Sequence, residues 1–132
     1  MIYIVLNGGA ILAATLAGLV LGTIWQIAAD RRQISGRGWI GSLAFAFLAE
    51  AWLCAILAGA LILAPPKGSV WTMTIGSAVV IWLGFVLPSL AASYRMRALA
   101  WRAVTVDCGY WLLVMLTQAV VLRLIGLVPP PV

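Results

Sequence analysis

Histidine is absent from this chain of 132 residues. Imidazole is the commonest transition-metal and haem ligand and a frequent proton shuttle, so His-ligated cofactors are excluded and no cofactor is expected. Charge is nearly as scarce, with eight Lys/Arg and three Asp/Glu amounting to 8% of the residues, while 65% are apolar. A soluble domain carries roughly 25% charge, so this composition could not clothe a globule in polar groups, and lipid must be its main solvent. Cysteine contributes only Cys54 and Cys108, which form no CxxC pair and sit inside apolar runs, where a thiol behaves as a small hydrophobe. Also missing are a nucleophile with a base, closely spaced carboxylates on one element, and a phosphate-cradling glycine loop. Gly8 and Gly9 follow Asn7 inside an apolar run with no Lys nearby, which suits helix packing or flexibility rather than phosphate binding. No enzyme is expected.

What is present is four apolar runs. A bilayer core about 30 Å thick needs roughly 20 helical residues per crossing, and the runs predict helices at about 2–29, 39–64, 70–92 and 104–127. The expected fold is therefore all-α, a single transmembrane domain built as a four-helix bundle. The first run lacks a preceding basic segment and is followed by Arg31 and Arg32, so it reads as a retained helix rather than a cleaved signal. Ala10, Ala14, Gly18 and Gly22 recur at every fourth position along it and form a groove that another helix can approach closely, within the molecule or in a second copy. Residues 30–38 and the Pro65-Pro66-Lys67-Gly68-Ser69 turn separate the first three runs, with Trp25 and Trp39 placed as interfacial anchors. Pro88 predicts a bend between Gly84 and Pro88 in the third helix. Residues 93–103 place Tyr94 and Trp101 seven apart, the spacing of one helical face, and read as an interfacial helix turn.

The net charge of +5 is concentrated between the runs, not along one polar face, so nucleic acid is not the expected partner. Arg31, Arg32 and Arg37 follow the first helix and Arg95, Arg97 and Arg102 the third, whereas the middle turn has only Lys67. The positive-inside rule places the two arginine-rich connections in the cytoplasm, where they would meet anionic headgroups, and both termini outside. Arg123 lies near enough to the outer end of helix four to snorkel.

Glu50 is the sharpest signal. It stands eleven residues beyond Trp39, about 16 Å along a helix rising 1.5 Å per residue, and thus near mid-membrane. A charge there costs on the order of 2.5–3.5 kcal/mol even on the mildest insertion scale, so a partner or a proton should compensate it. Steps of four from Glu50 meet Ser42, Ala46, Cys54 and Ala58, a small-residue face suited to the bundle interior. Asp107, Tyr110 and Gln118 on helix four complete a candidate intramembrane polar cluster. Two readings are open: a proton or cation site titrating at Glu50, or a neutral Glu50 acting as interhelical glue. Asp107, in the first turn of its helix, also suits pairing with loop arginines. The deeper tryptophans, Trp52 and Trp82, suit core or lipid-facing packing, the alternative being an aromatic-lined pocket for an apolar cation or quinone.

Several residues, taken in order, resemble a family of bacterial membrane proteins known as domain of unknown function 1761. They are Gly22-x-x-Trp25, Gly38-Trp39, Trp82-x-Gly84-Phe85 with Pro88, and Trp101 followed by Gly109-Tyr110. The chain departs from that pattern at Gln26, where an aromatic is usual, and carries Asp107 where an amide is also acceptable. The resemblance implies a four-helix inner-membrane protein and supplies no activity. The expected role is an accessory or scaffold component, self-associating or part of a larger membrane complex; the alternative is a small proton-coupled transporter using an intramembrane carboxylate.

Overall fold

The computed structural model describes residues 2–28 and 38–131, and among them there is no β-strand. In chain order the elements are α1 (Ile2–Leu6), α2 (Gly8–Ala28), α3 (Trp39–Leu63), α4 (Val70–Ile81), a π-helical turn (Trp82–Val86), α5 (Leu87–Met96) and α6 (Trp101–Ile125). Among the described residues four stretches are long and apolar enough to cross a membrane: Gly8–Ala28, Trp39–Leu63, Val70–Met96 and Trp101–Ile125, with mean hydropathies of 1.9, 2.2, 2.0 and 1.7. Such helices satisfy every interior backbone group locally, the condition that lipid imposes on a spanning segment. Arg31, Arg32 and Arg37, with most of the first connection, lie outside the described residues.

The first span is interrupted only slightly. Asn7 N–H still donates to Tyr3 O at 3.0 Å and Ile11 N–H to Asn7 O at 2.9 Å, so the backbone ladder crosses the junction. Asn7 itself is buried, and its amide donates to Tyr3 O at 2.8 Å and to Val128 O at 2.9 Å while accepting from Val128 N–H at 2.8 Å. This two-point pairing anchors the segment beyond α6 against the start of α2. Gly8 and Gly9, by contrast, have nothing within 4 Å of a notional Cβ, so neither mediates a close approach.

In the third span, where Pro88 predicts a bend between Gly84 and Pro88, the helix carries a π turn over Trp82–Val86. Leu87 N–H donates to Trp82 O, five residues back. Pro88 has no N–H and its ring crowds the carbonyl four residues earlier, and one extra residue in the preceding turn relieves both demands. The span opens at Ser69, whose hydroxyl accepts from Thr72 N–H at 3.2 Å as an N-cap.

Residues 93–103 do not form one interfacial helix turn. Residues 93–96 continue the third span and 101–103 already belong to α6, which starts at Trp101 rather than at 104. Ala98, at φ 56, turns the chain between them. Tyr94 and Trp101 thus sit on two different helices, and the Arg95 guanidinium lies over the Trp101 ring, 4.9 Å from its centroid.

Helix α6 touches α2, α3, α4 and α5, whereas α2 and α4 make no contact with each other. The fourth span is accordingly the one around which the bundle is built, and Met115, Ala119 and Leu122 are completely buried along it. They meet Ala14 of α2, Cys54, Leu57 and Ala58 of α3, and Ala78 of α4 in one apolar cluster. Phe45, Trp52, Val80 and Phe85 point outward, as lipid-facing side chains do. Trp25 does not simply anchor the interface, since its indole N–H is buried without a hydrogen-bond partner and its ring edge faces Gly109.

Candidate functional site

The polar cluster forms where α2, α3 and α6 meet. Glu50 is wholly buried, as is Gln118. The Tyr110 hydroxyl donates to Glu50 Oε1 at 2.8 Å, and Gln118 Nε2 donates to the Glu50 backbone carbonyl at 3.3 Å. Both interactions join α3 to α6. The third wall is α2, and here the glycines matter: a Cβ on Gly18 would lie 2.7 Å from Glu50 Oε2 and 3.2 Å from Gln118 Nε2, and one on Gly22 would lie 2.7 Å from the Tyr110 hydroxyl. Real Cβ atoms do not approach that closely. The stripe of Ala10, Ala14, Gly18 and Gly22 is therefore buried inside the molecule, and its glycines provide the space that the carboxyl and phenol occupy.

Two oxygens in this cluster, Glu50 Oε2 and Gln118 Oε1, are buried and accept no hydrogen bond. A carboxylate in that setting would carry an uncompensated charge, whereas a neutral carboxyl leaves only polar atoms to satisfy. One helical turn further along α3, the Cys54 thiol donates to Ile11 O at 3.7 Å, and the Thr15 hydroxyl donates to the same carbonyl at 2.8 Å. Thr15 escaped the sequence reading, although it stands three residues before Gly18 on the packed face of α2. In the sequence Cys54 shows as a thiol inside an apolar run, on the small-residue face of α3. Both cysteines are free thiols, and among the described residues no group of three or more His, Cys, Asp or Glu side chains could hold a metal ion.

Asp107 does not join the cluster. Its Oδ2 accepts from the Tyr94 hydroxyl at 2.7 Å, which ties α5 to the beginning of α6. Nor does Thr117, whose exposed hydroxyl donates back to Leu113 O at 2.9 Å. Trp82 links the third and fourth spans through its indole N–H, which donates to Cys108 O at 2.8 Å.

Beside the cluster a cleft of about 430 Å³ opens between α2 and the first turns of α3. Gly22, Thr23 and Gln26 line it from α2, Trp39, Ser42 and Ala46 from α3, and Tyr110 from α6, whereas Glu50 is not among its lining residues.

Four apolar helices long enough to cross a membrane, with a hydrogen-bonded carboxyl buried where three of them meet, define a multi-pass helical membrane protein. Residues 9–123 match the family described as Protein of unknown function (DUF1761), and the chain belongs to that family. Neither the curated proteins nor the solved structures contain a match.

Proposed function

We propose that this protein is a non-enzymatic accessory or scaffold component of a membrane assembly, in which Glu50 serves as neutral interhelical glue. The observation that carries this reading is the enclosure of Glu50, which has no solvent exposure, with one oxygen bonded to Tyr110 and the other covered by Gly18. A group that exchanges protons with water during transport needs access, and among the described residues the neighbouring cleft is lined by Tyr110 and not by Glu50. That same cleft is what favours the second reading, a small proton-coupled transporter in which Tyr110 stands between water and Glu50. The proposed setting is the inner membrane of a bacterium, with both termini outside. Anionic headgroups would meet Arg31, Arg32, Arg37, Arg95, Arg97 and Arg102, and the assembly would comprise further copies or a larger membrane complex.

Affinity purification in mild detergent tests the scaffold reading. The wild-type protein should retain a defined membrane partner or a second copy, and Glu50→Gln should retain it equally, because an amide keeps an acceptor for Tyr110. Proton flux in proteoliposomes of the wild-type protein, abolished by Glu50→Gln in a folded variant, would overturn it in favour of transport.

A further inference from the structure

Arg123 stands in the last turn of α6 and is exposed, yet it makes no hydrogen bond or ion pair among the described residues. Its depth follows from the helix contacts. Gln118 donates to the Glu50 carbonyl, so the two residues share a level, and Glu50 lies near the middle of α3. Five residues beyond Gln118 put the Arg123 Cα about 7.5 Å from that level, inside a hydrocarbon layer whose half-thickness is about 15 Å. Its neighbours Leu124 and Ile125 are 71% and 54% exposed, so this side of α6 meets lipid. Snorkelling is opposed by the helix itself. The Cα–Cβ bond tilts toward the helix N-terminus, which for Arg123 leads away from the nearer membrane surface.

The chain has three acidic side chains, and none lies at this depth beside Arg123. Glu50 is wholly buried and bonded to Tyr110. Asp107 accepts from Tyr94 and stands sixteen residues before Arg123, about 24 Å along α6. Asp30 lies outside the described residues but follows Ala28, at the end of α2 opposite to Asn7, and Asn7 is the residue paired with Val128 just beyond Arg123. A second copy in the same orientation offers the same three at the same depths. We propose that Arg123 is the docking point for a different membrane protein, through a transmembrane helix that carries a carboxylate at the matching depth. The inference rests on the accessory reading above and supplies the chemistry of the partner. A cation in hydrocarbon is costly and is ordinarily paired. A guanidinium fork donates to both oxygens of a carboxylate at once, and Leu124 and Ile125 surround the pair with apolar contact.

The test uses the full chain in phosphatidylcholine vesicles, with a C-terminal affinity tag that carries the terminal carboxylate away from Arg123. The probe is a labelled leucine-rich transmembrane peptide with one Glu about five residues from its middle. Energy transfer should report saturable association. It should weaken by about tenfold or more with a Gln peptide, or with Arg123→Leu, as loss of one member of a desolvated charge pair requires. A Lys peptide should bind Arg123→Glu in place of the Glu peptide. Because Arg123→Leu removes an unpaired charge, that variant should keep or raise the wild-type thermal midpoint. Equal association of the Glu and Gln peptides, or of the wild type and Arg123→Leu, would overturn the proposal. Displacement of the Glu peptide by phosphatidylglycerol would overturn it as well, by assigning Arg123 to a lipid phosphate. In affinity purification, a partner retained equally by the wild type and Arg123→Leu would sink this inference and leave the accessory reading standing. A wild-type chain that retains nothing would sink that reading, while the peptide measurements still decide this one.

Discussion

At the scale of single residues, the clearest demand falls on Gly18. Its hydrogen faces Glu50 Oε2, and any side chain there must displace a carboxyl held by Tyr110 and an amide held by the Glu50 carbonyl. Gly18→Ala should destabilise the protein by about 1–3 kcal/mol, as overpacking a tight core does. The matched control is Gly76→Ala, where nothing lies within 4 Å and only helix propensity changes; it should be neutral or stabilising by up to about 1 kcal/mol. Thermal unfolding in detergent separates the two, and equal midpoints would show that the close approach at Gly18 is unimportant. Tyr110→Phe should cost about 1–3 kcal/mol by leaving Glu50 Oε1 as well as Oε2 without a donor. The spacing of Ala10, Ala14, Gly18 and Gly22 was legible in the sequence, as was the depth of Glu50. That the one exists to make room for the other was not, because helical periodicity names a face without saying which neighbour it meets.

At the scale of elements, the joints between helices carry the testable features. Ala98 turns the chain between α5 and α6 at φ 56, a left-handed conformation in which a Cβ costs roughly 1–2 kcal/mol. Ala98→Gly should relieve that strain, partly offset by the greater freedom of the unfolded chain, for a net gain of up to about 1 kcal/mol in a denaturation experiment. Asn7 is the other joint. Its side chain pairs with both the N–H and the carbonyl of Val128, so Asn7→Ala should speed hydrogen exchange at the Val128 amide while leaving amides in the middle of α6 unchanged. Pro88 foretold an irregularity in the third span, but not that a π turn would supply it. Proline states what the backbone cannot do, and the packing of Trp82 against the Cys108 carbonyl belongs to the fourth span, not to the residues around the proline.

At the scale of the whole molecule, the bundle is organised around α6, with α2 and α4 held apart. The proposed orientation in the membrane, with both termini outside, rests on the arginines of the first and third connections. A C-terminal alkaline phosphatase fusion should be active and a cytoplasm-dependent fluorescent fusion dark; the reverse pattern would place the C-terminus inside.

The sequence alone determined that this is an all-helical membrane protein with four spans, because a helix in lipid satisfies its own backbone and needs only length and apolarity to be recognised. It also narrowed the polar cluster to Glu50, Asp107, Tyr110 and Gln118. Only the tertiary structure decided the membership. Asp107 and Gln118 share a side of α6 but stand about 16 Å apart along it at 1.5 Å per residue. The height at which α3 crosses α6 places Glu50 between Tyr110 and Gln118, whereas Asp107 lies a turn nearer the helix start and meets Tyr94 instead. Axial offset between packed helices follows from how their side chains interlock, and no pattern within one helix records it.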